Sequence, residues 1–314
     1  VTARPEPNRR ATTTSRFGTS RRESHDASDF YRRFPSPTIL TDTTVVDAGA
    51  VKDTVIHGDS RDLSMIPDNS IALVVTSPPY FAGKEYETAL GEGHVPASYV
   101  EYLEMLRDVF AECWRVLEPG GRIAVNVANL GRKPYRSLSC DVTTILQDDL
   151  GYLLRGEVLW IKGAGLNSSC AWGSYASASN PVLRDVTERI IIASKGRFGR
   201  ALTKRQRQVR GLPFEDTISP EEFRELTLDT WRFPPESARR VGHPAPFPVE
   251  LPRRCIELFT YRCDTVLDPF GGVGTVAVAA IATGRHFVCV DADAGYVEKA
   301  RARIARARAE RDAD

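Results

Sequence analysis

The sequence predicts an α/β protein: a mostly parallel sheet with helices packed on both faces. Three observations carry that prediction. Apolar runs of strand length alternate with segments of helical spacing over most of residues 53–304. One run, IALVVTS from Ile71, is continuously apolar, as a strand buried on both faces of a sheet must be. Near the C-terminus VLDPFGGVGTVAVAA takes a buried strand through glycines straight into a helix. The 314 residues, 42% hydrophobic and 26% charged, suit one large α/β domain carrying an insertion.

In chain order, residues 1–40 are rich in Arg, Ser, Thr and Pro and read as a basic, partly disordered arm. Residues 1–34 hold eight arginines against four acids. DTVIHGD is then a short strand ending at Gly58-Asp59, and SRDLSMIPDNS a short helix or turn before IALVVTS. SYVEYLEMLRDVFAECWRVL is a helix, with Val100, Leu103, Leu106, Phe110, Trp114 and Leu117 expected on one face and Pro119-Gly120-Gly121 as its stop. GRIAVNVAN is a strand, VTTILQDDL a helix, and GEVLWIK and ERIIIAS two more strands.

Residues 197–240 break the rhythm: basic, short of long apolar runs, and interrupted by Pro213, Pro220, Pro234 and Pro235. They read as an insertion between a first part, 41–196, and a last part, 241–314. That last part holds a helix over Leu251–Phe259, the strand DTVLDPF, a helix over Val273–Thr283, the strand HFVCVD and a closing helix from Gly295.

Composition excludes several functions. No apolar run approaches a membrane span, and no signal peptide is read at the start. Six scattered cysteines form no C-x-x-C pair, so neither a metal site nor a disulfide framework is expected, and the setting is a reduced cytoplasm. The net charge of +1 does not announce nucleic acid by itself. The run Lys195–Arg210 does raise the question, with seven positive charges and no acid. It is either a solvated face or a surface that meets phosphates.

Two stretches carry chemistry. In TSPPY, two prolines make a stiff extended backbone whose carbonyls lack sheet or helix partners and can point at a ligand. An aromatic ring follows directly. At the second stretch, the Gly272-x-Gly274 turn opens a helix N-terminus, and seventeen residues beyond Gly274 the next strand ends in Asp291, placed to accept ribose hydroxyls. No third glycine completes a dinucleotide G-x-G-x-x-G, and no Gly-Lys-Ser/Thr marks a triphosphate loop. An adenosyl cofactor without phosphates fits that turn better.

Thr76–Tyr80 and Asp268–Thr275 (DPFGGVGT) together resemble the S-adenosylmethionine-dependent amino-methyltransferases of DNA. Their order, catalytic loop first and cofactor loop last, resembles the β group, whose Rossmann-like sheet is circularly permuted. The resemblance extends over roughly 53–200 and 229–304, including GDSRDLSMIPDNSIALVVTSPPY and GHPAPFPVELPRRCIELF. It implies catalysis by Ser77, Pro78, Pro79 and Tyr80. Ser77 and the Pro78 carbonyl would accept the two N–H groups of a base amine, and Tyr80 would stack on the flipped base.

For the cofactor, S-adenosyl-L-methionine, the resemblance implies Asp268, Phe270, Gly271, Gly272, Gly274 and Thr275 around the methionine part. Asp291 would take the ribose, Asp59 the adenine edge, and His243 to Phe247 would cover the ligand. Family loops often read Gly-Ser-Gly-Thr-Thr where this chain has Val273 and Val276, so one hydroxyl for the methionine carboxylate is missing. The basic insertion falls at the family's variable target-recognition region, with Lys204, Arg205, Arg207 and Arg210 as DNA-binding candidates. Asn126, closing a strand, either orients the base or simply ends the strand.

Ser-Pro-Pro-Tyr usually accompanies cytosine N4 methylation in the family and Asp-Pro-Pro-Tyr adenine N6, so N4-cytosine is expected and N6-adenine is the alternative. A C5 mechanism needs a cysteine nucleophile, and the chain has no Pro-Cys dipeptide. A non-catalytic nucleic-acid-binding module is the rival from another class, although both motifs are intact. Methylation of RNA or of a protein glutamine is a third, against which Ser77 speaks. Double-stranded DNA is the partner implied, and a cognate restriction endonuclease is left open.

Overall fold

Eight strands line up in one sheet, in the order β1-β8-β7-β2-β3-β5-β4-β6. They are β1 Thr54–His57, β2 Ile71–Thr76, β3 Leu117–Val127, β4 Leu153–Ile161, β5 Thr187–Ser194, β6 Thr230–Arg232, β7 Thr265–Asp268 and β8 His286–Asp291. The computed structural model describes residues 38–79, 98–129, 135–163, 173–236 and 247–312. Val1–Thr38 separates from Ile39–Asp314, and the sheet belongs to the second unit.

Strands β1, β8, β7, β2 and β3 run parallel. β5 is antiparallel to β3 and to β4, and β6 adds a parallel edge to β4. The chain leaves β7 toward β8 on one side, while β2 leads to β3 on the other. The point between β7 and β2 is therefore the switch point of the sheet, where open α/β folds bind ligands. The central strand with the glycine turn comes late in the chain, which is the permuted Rossmann-like order expected.

Period-two alternation assigns the two faces. Val74, Val125, Leu267, Val288 and Val290 point into one core, with Tyr102, Leu106, Val109 and Phe110 of helix α1 (Tyr99–Val116) and Leu138 and Val142 of α2 (Leu138–Thr144). Leu73, Val75, Ala124, Val266, Phe287 and Cys289 point into the other. There they meet helices that enter the chain after the short α3 (Lys204–Val209) and α4 (Pro220–Leu226): α5 (Glu250–Phe259), α6 (Thr275–Ala282) and α7 (Ala294–Arg311). No helix among the described residues is long and apolar enough to cross a membrane.

Two local expectations are corrected. The buried stripe of α1 is Tyr102, Leu106, Val109, Phe110, Cys113 and Val116, and Val100 is 65% exposed. The helix settles on the phase that buries the most contiguous apolar surface, and Val100 in its first turn falls outside that phase. Pro119-Gly120-Gly121 is not a turn but part of β3, which starts directly after the helix and absorbs the glycines in a register shift against β2. The insertion also contributes a strand that its sequence hides. Trp231 of β6 pairs with Trp160 of β4, and the Trp160 ring stacks on Phe233 at 5.2 Å.

Candidate active site

Because β1, β8, β7, β2 and β3 all point the same way, their last residues gather along one edge of the sheet. Strand order converts directly into an order of side chains. Asp59 follows β1, Asp291 ends β8, Asp268 ends β7, Ser77 follows β2, and Asn126 lies near the end of β3. The antiparallel β5 brings Glu188 to the same edge, and Lys162 follows β4.

At the switch point Thr76 donates its hydroxyl to Asp268 Oδ1 at 2.7 Å, and the Phe270 amide donates to the same oxygen at 3.1 Å. Asp268 is only 1% exposed, and its Oδ2 is buried without a hydrogen-bond partner among the described residues. Burial pushes its carboxyl up to about 7, against the two hydrogen bonds that favour the charged form, with Asp291 adding to the rise. Such an orphaned acceptor is costly unless a donor arrives.

The glycine turn is shaped by close approach. A Cβ on Gly271 would stand 2.9 Å from the Cβ of Cys289 in the strand beneath, so the turn lies on β8 only if that residue is glycine. Gly274 caps α6 with φ +76°, a left-handed conformation, and a Cβ there would meet Ala300 of α7 at 3.2 Å. Thr275 turns away from the edge: it is buried, and its hydroxyl accepts from Arg303 at 2.8 Å. Val273 and Val276 are buried too, which explains why apolar residues stand there.

Asp291 binds this turn to β8, accepting from Gly272 N at 2.7 Å and Asp293 N at 2.9 Å, while burial raises its pKa against those bonds. Gly58 N donates to the Asp291 carbonyl at 3.0 Å, and the Ser60 hydroxyl donates to the Pro269 carbonyl at 2.6 Å. These links hold the Asp59 loop against the glycine turn. Asp59 itself pairs with Arg61 at 2.5 Å. Phe270 packs half-buried on the α1 core, and Phe247 on the opposite core.

On the other side of Asp268, a polar row crosses four strands. Lys162 Nζ donates to Glu188 Oε1 at 2.8 Å, and Asn126 Nδ2 donates to Glu188 Oε2 at 2.6 Å. The same Asn126 nitrogen reaches Ser77 Oγ at 3.4 Å. Neither Glu188 nor Lys162 stands out in the sequence, and only the pairing of β3, β4 and β5 shows them. Tyr80 and His243 lie outside the described residues.

The basic run needs a correction. Arg207 is 1% exposed, and its guanidinium binds Glu118 at 3.0 Å and Asp264 at 2.9 Å. It is a buried cross-link, not a surface group for DNA. Arg200 pairs with the same two carboxylates, Lys195 donates to Asn69 and to the Arg115 and Leu117 carbonyls, and Arg197 to the carbonyls of Leu40 and Asp42. Lys204 is exposed and pairs with Asp216. Arg205 and Arg210 are also exposed, on or just beyond α3. Most of the run's charge is therefore used inside the fold.

A mostly parallel sheet with a glycine turn after its central strand, a carboxylate ending the neighbouring strand and a Ser-Pro-Pro loop across the switch point defines the Rossmann-like methyltransferase class. The profile of the N6_N4_Mtase family, DNA methylase, matches residues 71–302, and the chain belongs to that family. It is 29% identical over 268 residues to the Type II methyltransferase M.MthZI of Methanothermobacter thermautotrophicus, covering 78% of this chain and 74% of the relative. It is 25% identical over 259 residues to the DNA adenine methyltransferase YhdJ of Escherichia coli K12, covering 78% and 80%.

Among solved structures, TTHA0409 of Thermus thermophilus, assigned as a DNA modification methylase and complexed with S-adenosyl-L-methionine, superposes with a TM-score of 0.62. It shares 28% identity over 81% of this chain and 93% of that one. The cytosine-N4-specific PvuII DNA methyltransferase matches at TM-score 0.61 and 20% identity, over 88% and 96%, a likeness of fold.

Proposed function

We propose that this DNA methylase moves a methyl group from S-adenosyl-L-methionine to the N4 amine of a cytosine flipped out of duplex DNA, in a site-specific modification role. The observation that carries the reading is that Ser77, just past β2, and Asp268, the last residue of β7, stand at the ends of adjacent strands that Thr76 ties together by its bond to Asp268. A cofactor in the glycine turn and an amine at the proline loop would then face each other across one strand spacing.

The cofactor supplies an electrophilic methyl group on a sulfonium. The residues present fit it. Asp268 Oδ2, buried and without a hydrogen-bond partner among the described residues, suits the α-ammonium of its methionine part. Gly271 lets the turn lie where a Cβ would collide with Cys289, and Gly272 and Gly274 take left-handed φ of +48° and +76°. Asp291 keeps acceptor capacity on both oxygens for ribose hydroxyls, since one backbone N–H occupies only part of each oxygen's capacity. Asp59 is held beside that turn and suits the adenine edge.

On the DNA side, a nucleobase amine is a poor nucleophile because its lone pair is delocalised into the ring. Ser77 and the Pro78 carbonyl accept its two N–H groups and favour a pyramidal nitrogen whose lone pair faces the methyl group. Pro78 and Pro79 hold the carbonyl, so little reorganisation accompanies transfer. Tyr80 stacks on the flipped base, an interaction of roughly 1–3 kcal/mol that offsets the flipping cost. Cys289, beneath Gly271, is no alternative nucleophile, because burial raises its thiol well above the ordinary value.

The base follows from the serine that opens the Pro-Pro loop. Adenine N6 is the second reading, favoured by the similarity to an adenine methyltransferase. Incubation with mixed-sequence duplex DNA and S-adenosylmethionine, digestion to nucleosides and mass spectrometry decide between them. N4-methylcytosine is expected. N6-methyladenine would keep the fold and mechanism and discard serine as a guide to the base.

A further inference from the structure

The row Lys162, Glu188, Asn126, Ser77 draws one side chain from each of four strands or strand ends, β4, β5, β3 and β2. Its directionality is set by chemistry. A carboxylate paired with an ammonium only accepts hydrogen bonds, so the Asn126 amide must turn its nitrogen toward Glu188. That amide is 1% exposed and wedged in the sheet, and the same nitrogen then faces Ser77. With Glu188 absent, the amide could rotate and present its oxygen to the hydroxyl instead. A hydroxyl oxygen has two acceptor sites, and an N–H anchored beside it limits how the hydroxyl turns.

Glu188 makes little sense as a stability element. It is largely buried, at 13% side-chain exposure, beside a lysine at 28%, and such pairs gain little over apolar residues of similar size. Its ladder neighbours are fixed by backbone register, Trp160 opposite Glu188 and Ile161 opposite Thr187, so strand pairing does not depend on the carboxylate.

We propose that Glu188, held by Lys162, is a positioning residue that orients the Ser77 hydroxyl through Asn126 for the methyl acceptor. The inference rests on the reading of Ser77 as the residue that meets the target amine. It predicts an effect on the chemical step and none on the cofactor side, because the row lies on the side of Asp268 away from Asp291 and Asp59.

The test is a double-mutant cycle on the full chain with duplex DNA. Glu188→Gln is expected to lower kcat at least about 10-fold while the Kd for S-adenosylmethionine changes less than about 2-fold. Glu188→Gln added to Ser77→Ala should cost nothing further. Lys162→Arg, which keeps the pair, should retain activity that Lys162→Met loses. The lysine variants also serve if Glu188→Gln does not fold. Multiplicative losses in the cycle, or a collapse of cofactor binding, would overturn the inference. If Ser77→Ala is inactive while Glu188→Gln and Lys162→Met are fully active, the inference alone fails. If Ser77→Ala is fully active, the reading of Ser77 fails with it.

Discussion

Thr76 and Asp268 lie 192 residues apart in the chain, yet the threonine hydroxyl donates a 2.7 Å hydrogen bond to the buried carboxylate across two central strands. The bond ties the end of the strand that carries the Pro-Pro loop to the end of the strand that carries the glycine turn. It also leaves the second carboxylate oxygen without a partner at the switch point, among the described residues.

Cofactor affinity should therefore depend on pH. Burial raises Asp268 to about 7, so below that value the carboxyl is increasingly neutral and a poor partner for an ammonium. Calorimetric titration with S-adenosylmethionine should show affinity falling about tenfold per pH unit below the apparent pKa and levelling off above it. Thr76→Val removes a bond that favours the charged form, so it should move the limb to higher pH. An unchanged profile in that variant would remove Asp268 as its source.

The same carboxyl sets an opposite trend in stability. Its folded pKa lies above the ordinary value of 3.8, so the folded state holds its proton more tightly than the unfolded state does. Its contribution is most favourable below about pH 4 and is lost as pH rises through about 7, a change of a few kcal/mol. Asp268→Asn, which needs no ionisation, should gain in melting temperature over the parent at pH 8 and not at pH 4, while binding the cofactor poorly. Parallel curves for the two proteins would contradict the assignment.

Arg207 and Arg205 stand two positions apart and should behave oppositely. Arg207→Ala leaves the buried Glu118 and Asp264 to share Arg200 alone, and removing one partner from a buried ion pair costs up to about 3–5 kcal/mol. Chemical denaturation should show that loss. Burial alone would raise Glu118, but Arg200 and Arg207 outweigh it and hold the carboxyl below its ordinary 4.5, so this network's contribution persists at neutral pH and fades under acid. Arg205→Ala should leave stability unchanged and reduce duplex affinity with a shallower salt dependence. Equal DNA binding across salt would exclude Arg205 from the phosphate-contacting surface.

How far the sequence speaks depends on whether the deciding interaction is local. Strand β2 was legible because burial on both faces demands an unbroken apolar run, and the glycine turn because close packing on Cys289 and a left-handed φ at Gly274 admit little else. The basic run misled because its neutralising partners are remote: Glu118 is 89 residues from Arg207 and Asp264 is 57. β6 escaped because three residues among prolines carry no period, and it is the ladder with β4 that makes them a strand. Glu188 reads only as the start of an apolar strand until β5 is laid antiparallel to β3.

Asp291 offers a last test, because it has two jobs that can be separated. It anchors the glycine turn through Gly272 N, and it is assigned to the ribose hydroxyls. Asp291→Asn keeps an oxygen for the Gly272 N–H but turns its NH2 toward the Asp293 N–H and gives up the charge-assisted acceptor, worth about 1.5–3 kcal/mol for hydrogen bonds to a charged group. Cofactor affinity should then fall about 10- to 100-fold, with melting temperature lowered less than in Asp291→Ala. Asp291→Ala removes both functions and should lower affinity further, together with stability. If Asp291→Asn binds as tightly as the parent while Asp291→Ala does not, the carboxylate is an anchor of the turn alone. The ribose must then be held elsewhere on the strand edge.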